Sequence, residues 1–232
     1  MQCKRKIGPY DCCSVVQGDC LKLMKKLPDG CIDAVITDPP YGINLNADYS
    51  RFKGWNGPGR KFRNVIGDDK PFDPKPFLRF PKIILFGANH YASRLPDSGG
   101  WIVWDKRGNG LPSNNWFSDC ELAWTNLSGH VTRFSYMWHG VARWSKEDAQ
   151  HPTQKPVDLM IYCIKMAGLP ETILDPFLGS GTTAVAAKKL GRHFLGFEID
   201  EDYCEIAGKR IKRAEHGDYS LRKDKTGMLD LF

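Results

Sequence analysis

An α/β fold with a mostly parallel sheet flanked by helices is what this sequence predicts, and three observations predict it. Short apolar runs such as Ile32–Thr37 (IDAVIT) and Lys82–Phe86 (KIILF) read as buried strands. Amphipathic or Ala-rich stretches such as Val157–Ala167 and Thr182–Leu190 alternate with them as helices. Two of the strands end in loops rich in Asp, Pro and Gly, the place where such sheets hold ligands.

The elements follow in order. Ser14–Gln17 is a short strand ending at Gly18-Asp19, and Cys20–Leu27 has Leu21, Leu23, Met24 and Leu27 at near-helical spacing. Pro28-Asp29-Gly30 is a turn. After IDAVIT, the adjacent prolines of Asp38-Pro39-Pro40-Tyr41 cannot continue a strand or enter a helix interior, so they form a rigid loop. Residues 42–76 are Gly-, Asn- and Pro-rich and read as one long mobile loop. Trp101–Trp104, Glu121–Trp124 and Val131–Tyr136 are further strands; 105–119 and 137–155 read as loops. Thr172–Leu174 and Phe194–Phe197 are strands on either side of the Ala-rich helix, and Asp202–Ala214 is a last helix before a polar tail.

With 232 residues, 41 % hydrophobic and 26 % charged, the chain can bury a real core, and whole-chain disorder, collagen and coiled coil are excluded. No apolar run approaches the roughly 18 residues of a membrane span, and no apolar segment follows the charged N-terminus as in a signal peptide. The expectation is a cytoplasmic protein with no membrane partner. A net charge of +6 permits a polyanionic partner without demanding one. The eight cysteines contain no C-x-x-C and the six histidines no ligand spacing, so reduced thiols and no metal site are expected.

Gly179-Ser180-Gly181-Thr182-Thr183-Ala184 lies between a strand and a helix and fits the G-x-G-x-x-G/A nucleotide-cofactor pattern. Glu198 ends the next strand, placed to accept hydrogen bonds from ribose hydroxyls. The alternative reading is a packing turn. The pattern does not separate NAD from S-adenosylmethionine (SAM), since both carry an adenosine ribose. Position counts against an ordinary NAD enzyme: too little chain follows Glu198 to build the second half of a dinucleotide-binding sheet.

The other loop offers the Asp38 carboxylate, a Pro39 carbonyl on stiff backbone and a flat Tyr41 ring. Together they suit a planar substrate bearing an NH₂ group. Such an amine is a poor nucleophile because its lone pair is delocalised. Two fixed acceptors on its N–H groups favour the pyramidal geometry that frees the lone pair, an interaction stronger in the transition state. Taken alone, the loop reads equally as a strand-ending turn.

At these residues the sequence resembles the DNA amino-methyltransferases of the permuted β group, in which the DPPY half precedes the FxGxG half. Asp38–Tyr41 comes first here and Phe177–Gly181 late, with His151–Pro156 (HPTQKP) resembling the cofactor-side motif and Gly18-Asp19-Cys20 the adenine-side element. The resemblance covers roughly Val16 to Ala214. It implies a single Rossmann-like SAM-dependent methyltransferase domain over 1–232. The catalytic half is 14–136, the SAM-binding half 151–214, and 42–76 the DNA-binding loop. Asp38, Pro39, Pro40 and Tyr41 would hold a flipped-out base. Asp38, Asp175, Pro176, Phe177, Gly179, Ser180, Gly181, Thr182 and Ile199 would line the SAM pocket, with Glu198 on the ribose and Asp19 at the adenine. Thr153 and Lys155 would meet the methionine carboxylate. DPPY resembles the adenine-N6 members more than the cytosine-N4 members; N4 transfer on the same fold and a non-catalytic DNA binder are the alternatives. The resemblance also admits a homodimer. Only a short stretch separates Tyr136 from His151, so a separate target-recognition domain does not fit.

For DNA contact, residues 51–63 carry Arg51, Lys53, Arg60, Lys61 and Arg63 with no acid, interleaved with Phe52, Trp55 and Phe62. Cations for phosphates and rings for bases are the expected mix. Arg107, in an Asn- and Gly-rich stretch, is a second candidate. The basic tail from Lys209 reads first as a solvated helix end.

Overall fold

The computed structural model describes residues 5–48, 61–107, 118–139, 142–143 and 150–215. A two-stranded hairpin, β1 (Lys6–Ile7) and β2 (Tyr10–Asp11), precedes β3 (Ser14–Gln17) and α1 (Cys20–Met24). Then follow β4 (Ala34–Thr37), β5 (Ile83–Phe86), β6 (Trp101–Asp105), β7 (Cys120–Thr125) and β8 (Val131–Ser135). A second small hairpin joins β9 (Trp138–His139) to β10 (Ala142–Arg143). The chain closes with α2 (Val157–Met166), β11 (Thr172–Asp175), α3 (Thr182–Lys189), β12 (His193–Glu198) and α4 (Glu201–Glu215). The larger strands and helices stand where the hydrophobic patterning puts them. The two hairpins, with strands of two residues each, are too short to leave a periodic signal.

Eight strands form one sheet in the order β3-β12-β11-β4-β5-β7-β6-β8. Every neighbouring pair is parallel except the two that involve β7, which runs against the rest. The two sequence halves therefore interleave, with β4 lying between β11 and β5.

Both faces of the sheet are covered, which is why its central strands are continuous apolar runs. Alternation sorts their side chains. Ala34, Ile36, Ile84 and Phe86 pack with the α2 and α3 residues Leu159, Ile164 and Val185. Val35, Ile83 and Leu85 face the other way, onto Phe72, Phe77 and Tyr91. That second layer corrects the expectation of a mobile loop over 42–76 where the chain is described. Phe72 and Phe77 are core residues, and the buried Asp68 carboxylate accepts from the backbone N–H groups of Gly42 (2.8 Å) and Leu45 (2.7 Å). The Gly/Pro content of this stretch reflects tight turns around a carboxylate anchor. Among the described residues, no helix is long and apolar enough to cross a membrane.

Candidate active site

The carboxyl ends of β3, β12, β11, β4 and β5 open into one cleft of about 1000 Å³. Asp19, Asp38, Pro39, Pro40, Tyr41, Thr153, Lys155, Asp175, Pro176, Phe177, Gly179, Ser180, Thr182, Glu198 and Ile199 all line it. Residues up to 180 positions apart in sequence thus meet at one end of the sheet.

The Asp38 loop leaves β4 and turns straight into a buried charge network. The Lys155 ammonium donates to Asp38 Oδ2 at 2.5 Å and reaches Glu121 Oε2 at 3.0 Å, while Lys106 Nζ is 3.2 Å from Glu121 Oε1. Burial would lower the Lys155 pKa, but the two carboxylates outweigh it and hold it above the ordinary value. Burial would likewise raise Glu121; Lys155 and Lys106 outweigh that and bring it down to about 2. Burial pushes the Asp38 carboxyl up against the pull of Lys155. Lys155, expected at the methionine carboxylate, therefore has its charge committed to Asp38 and Glu121 here. Glu121 escaped the sequence reading because it stands at the start of a strand, where a charged residue normally faces water.

Tyr41 O–H donates to the other Asp38 oxygen, Oδ1, at 2.5 Å. Its ring stacks on His90 with centroids 5.2 Å apart and planes 14° apart. The slot exists because residue 87 is Gly, at φ +67°: a Cβ there would lie 1.9 Å from the Tyr41 ring. Burial, then the neighbouring Asp38 charge, raises the phenol well above its usual value.

The glycine loop is built differently. Gly181 (φ +87°) caps α3, and a Cβ there would stand 2.9 Å from that of Ala207 on α4. Gly181 is thus a close-packing position outside the cleft lining, which corrects its expected place in the pocket wall. Gly179 faces the cleft, and its N–H donates to Glu198 at 2.7 Å. Glu198 also accepts from the Asp200 N–H, and burial raises its pKa. Arg210, from the helix read as solvated, is buried and donates to the Ser180 carbonyl (2.5 Å), Ser180 Oγ (2.7 Å) and Thr182 Oγ1 (3.2 Å). Ser180 Oγ in turn donates to Gln154 at 3.1 Å, tying the loop to the HPTQKP segment. Asp175 accepts from Thr37 Oγ1 at 2.6 Å, across from β11 to β4, and burial lifts it to about 6. Asp19 caps α1 through the Leu21 N–H at 2.8 Å, with its residue on the cleft wall. Thr153 contacts His151, whose pKa falls to about 4 through burial and the nearby Lys155 charge.

The expected DNA contacts fare unevenly. Arg51, Lys53, Trp55 and Arg60 lie outside the described residues. Lys61 forms an isolated bridge with Asp48, and Arg63 pairs with Asp200 and Asp202 at the cleft rim. Arg107 is corrected: its guanidinium is buried on Asp119, so it is a structural cation here.

Residues 101–209 match a family model described as DNA methylase, of the N6/N4 type. The Type II methyltransferase M.HinfI of Haemophilus influenzae is 27 % identical over 245 residues, spanning 86 % of this chain and 68 % of that protein. Just under half of this chain is thus similar to the N6/N4 DNA methylases. A second relative, Type II methyltransferase M2.LlaDCHI of Lactococcus lactis subsp. cremoris, is 42 % identical over 99 residues, a third of its own length. Among solved structures, the M1.HpyAVI–SAM complex is 24 % identical with a TM-score of 0.53, covering 85 % of this chain and 98 % of that one. The cytosine-N4-specific PvuII DNA methyltransferase is 16 % identical with a TM-score of 0.56, covering 88 % of this chain and 90 % of that one. At these identities the two structures establish the fold of the chain.

Proposed function

We propose that this protein is a DNA methylase that transfers a methyl group from SAM to the exocyclic N6 of an adenine flipped out of its duplex. One observation carries the reading: the Asp38–Tyr41 loop and the glycine loop close the ends of adjacent parallel strands and share one cleft. A base amine and a cofactor methyl bound in these two loops would be neighbours.

The residues present fit the cofactor. Gly179 leaves the cleft wall open, since a Cβ there would meet nothing closer than His151 at 3.6 Å, and Glu198 supplies a carboxylate at the end of β12 for the ribose hydroxyls. Bound SAM supplies an activated methyl on a sulfonium with a neutral leaving group. The chain's work is alignment and electrostatics. Asp38 accepts one N–H of the amine and the Pro39 carbonyl accepts the other, favouring the pyramidal nitrogen. Lys155 pulls Asp38 toward its ionised form against the burial that opposes it, and fixes Oδ2, leaving Oδ1 toward the substrate side. Tyr41 O–H holds Oδ1 in this state, so the entering amine takes over that lone pair as Tyr41 turns to stack on the base. Glu121 and Lys106 position Lys155. Flipping itself is required because the amine is paired inside the duplex.

The test is product analysis after incubation with SAM and unmethylated duplex DNA. N6-methyladenine is expected. N4-methylcytosine would keep the fold and the Asp38 chemistry and move the reading to the cytosine alternative. Asp38→Ala should lower kcat by about 10²–10³-fold, the cost of losing one preorganised transition-state partner, with SAM binding retained. Full turnover in that variant would overturn the mechanism.

A further inference from the structure

At the opposite end of the sheet, where β3 and β12 begin, three soft ligands converge. Cys12 Sγ lies 3.4 Å from Cys13 Sγ and 3.0 Å from His193 Nδ1, and Cys13 Sγ is 3.8 Å from the same nitrogen. All three ligand atoms lie within 4.8 Å of one another. His193 and Glu198 bound one strand, so this cluster is about 16 Å of strand away from the cleft.

The backbone is bent to make the cluster. Successive residues of an extended chain point their side chains to opposite faces. Cys13 instead takes φ +57°, a left-handed conformation that costs free energy for a residue with a Cβ. Its N–H donates to the Phe194 carbonyl at 2.8 Å, which fixes the bend against the start of β12 beside His193. A strained backbone that aligns two thiols with an imidazole calls for a reason. Metal coordination supplies one. With metal–sulfur bonds of about 2.3 Å and metal–nitrogen bonds of about 2.05 Å, tetrahedral angles require S···S near 3.8 Å and S···N near 3.6 Å. The observed separations of 3.4, 3.0 and 3.8 Å lie within about 0.6 Å of these. Cys12 is buried, while Cys13 and His193 are half-buried, leaving a side open for a fourth ligand such as water.

We propose that Cys12, Cys13 and His193 form a site for a single thiophilic d¹⁰ cation of the zinc(II) type, separate from the methyl-transfer cleft. Two thiolates and one neutral imidazole select such an ion over magnesium or calcium, and the two thiol protons leave as it binds. The motif is invisible to spacing rules because its third ligand lies 180 residues from Cys13.

The test uses the full chain, reduced and stripped of metal. Cadmium(II) titration should give a thiolate-to-metal charge-transfer band that saturates at one equivalent, and zinc(II) should compete for the same site. Zinc should also raise Tm, since an ion held only by the folded state stabilises it. Cys13→Ser and His193→Ala should each weaken cadmium binding by more than the about 10–100-fold cost of losing an outer-shell partner. Cys31→Ser, at a thiol outside the cluster, should leave it intact. Methyl transfer in the Cys13 and His193 variants should match the parent, which also certifies their fold. Stoichiometric binding that survives both variants would overturn the proposal, because other thiols would then hold the ion. So would a reduced protein that takes up no cadmium but loses two thiols under mild oxidation, which would make the pair a redox couple.

Discussion

The Asp38 loop and the glycine loop lie side by side on neighbouring strands, yet they are held by opposite means. Around Asp38 four ionisable groups (Asp38, Lys155, Glu121 and Lys106) are paired with one another in the interior. Among the described residues the glycine loop shows no such pairing; the Arg210 guanidinium grips a carbonyl and two hydroxyls. The difference fits what the proposed function asks of each loop. A charge that acts on a substrate amine needs a fixed counter-charge that does not take its place. A loop that lets backbone approach a cofactor needs rigidity without bulk.

The largest effect should come from breaking the charge network. Lys155→Met leaves Asp38 and Glu121 buried without a shared cation, and destabilisation of about 3–5 kcal/mol is expected in urea unfolding. Adding Glu121→Gln to it should recover part of that loss; no recovery would mean the two carboxylates do not share the ammonium. On the other loop, Arg210→Ala should cost about 1–3 kcal/mol through the partners it leaves unpaired. SAM affinity should fall about tenfold to a hundredfold, with kcat at saturating cofactor little changed. A calorimetric titration beside single-turnover rates separates the two.

Acid offers a gentler probe. Glu121 titrates at about 2 in the folded chain against 4.5 ordinarily. A carboxyl lowered on folding contributes stability above its unfolded value and loses it as pH falls toward the folded one. Its share is therefore complete above about pH 4.5 and disappears between there and about pH 2. The stability gap between the parent and Glu121→Gln should narrow through that window. A gap that stays constant would show that the Glu121 charge is not what the network uses. The smallest effect belongs to Arg63→Ala. An exposed pair is worth at most about 1 kcal/mol, and with Arg63 turned to Asp200 and Asp202 the salt dependence of DNA binding should not change. A slope reduced by about 0.9 would return Arg63 to a phosphate.

Much of this was legible in the sequence. IDAVIT and KIILF read as strands because both their faces are buried, and the two ligand loops announced themselves through Pro and Gly, whose backbone limits are local. What was not legible depends on distance. Arg107 and Arg210 look like surface cations until Asp119 and the Ser180 carbonyl are found beside them. Glu121 carries no local mark of its tie to a lysine 34 positions on. Residues 42–76 look loose by composition, while Phe72, and Phe77 just beyond them, bury themselves in the second core layer.

The reversed direction of β7 has a consequence for anyone redesigning this protein. The parallel strands offer cleft residues from their last positions and the loops that follow, whereas β7 offers Glu121 from its own first residues, zipped to Trp104 on β6. Loops can be exchanged to retarget an enzyme; a side chain rooted in the sheet cannot be carried along with them. Any graft of a foreign base-binding loop onto this scaffold would inherit Glu121 and, through Lys155, would have to supply an acid where Asp38 now stands.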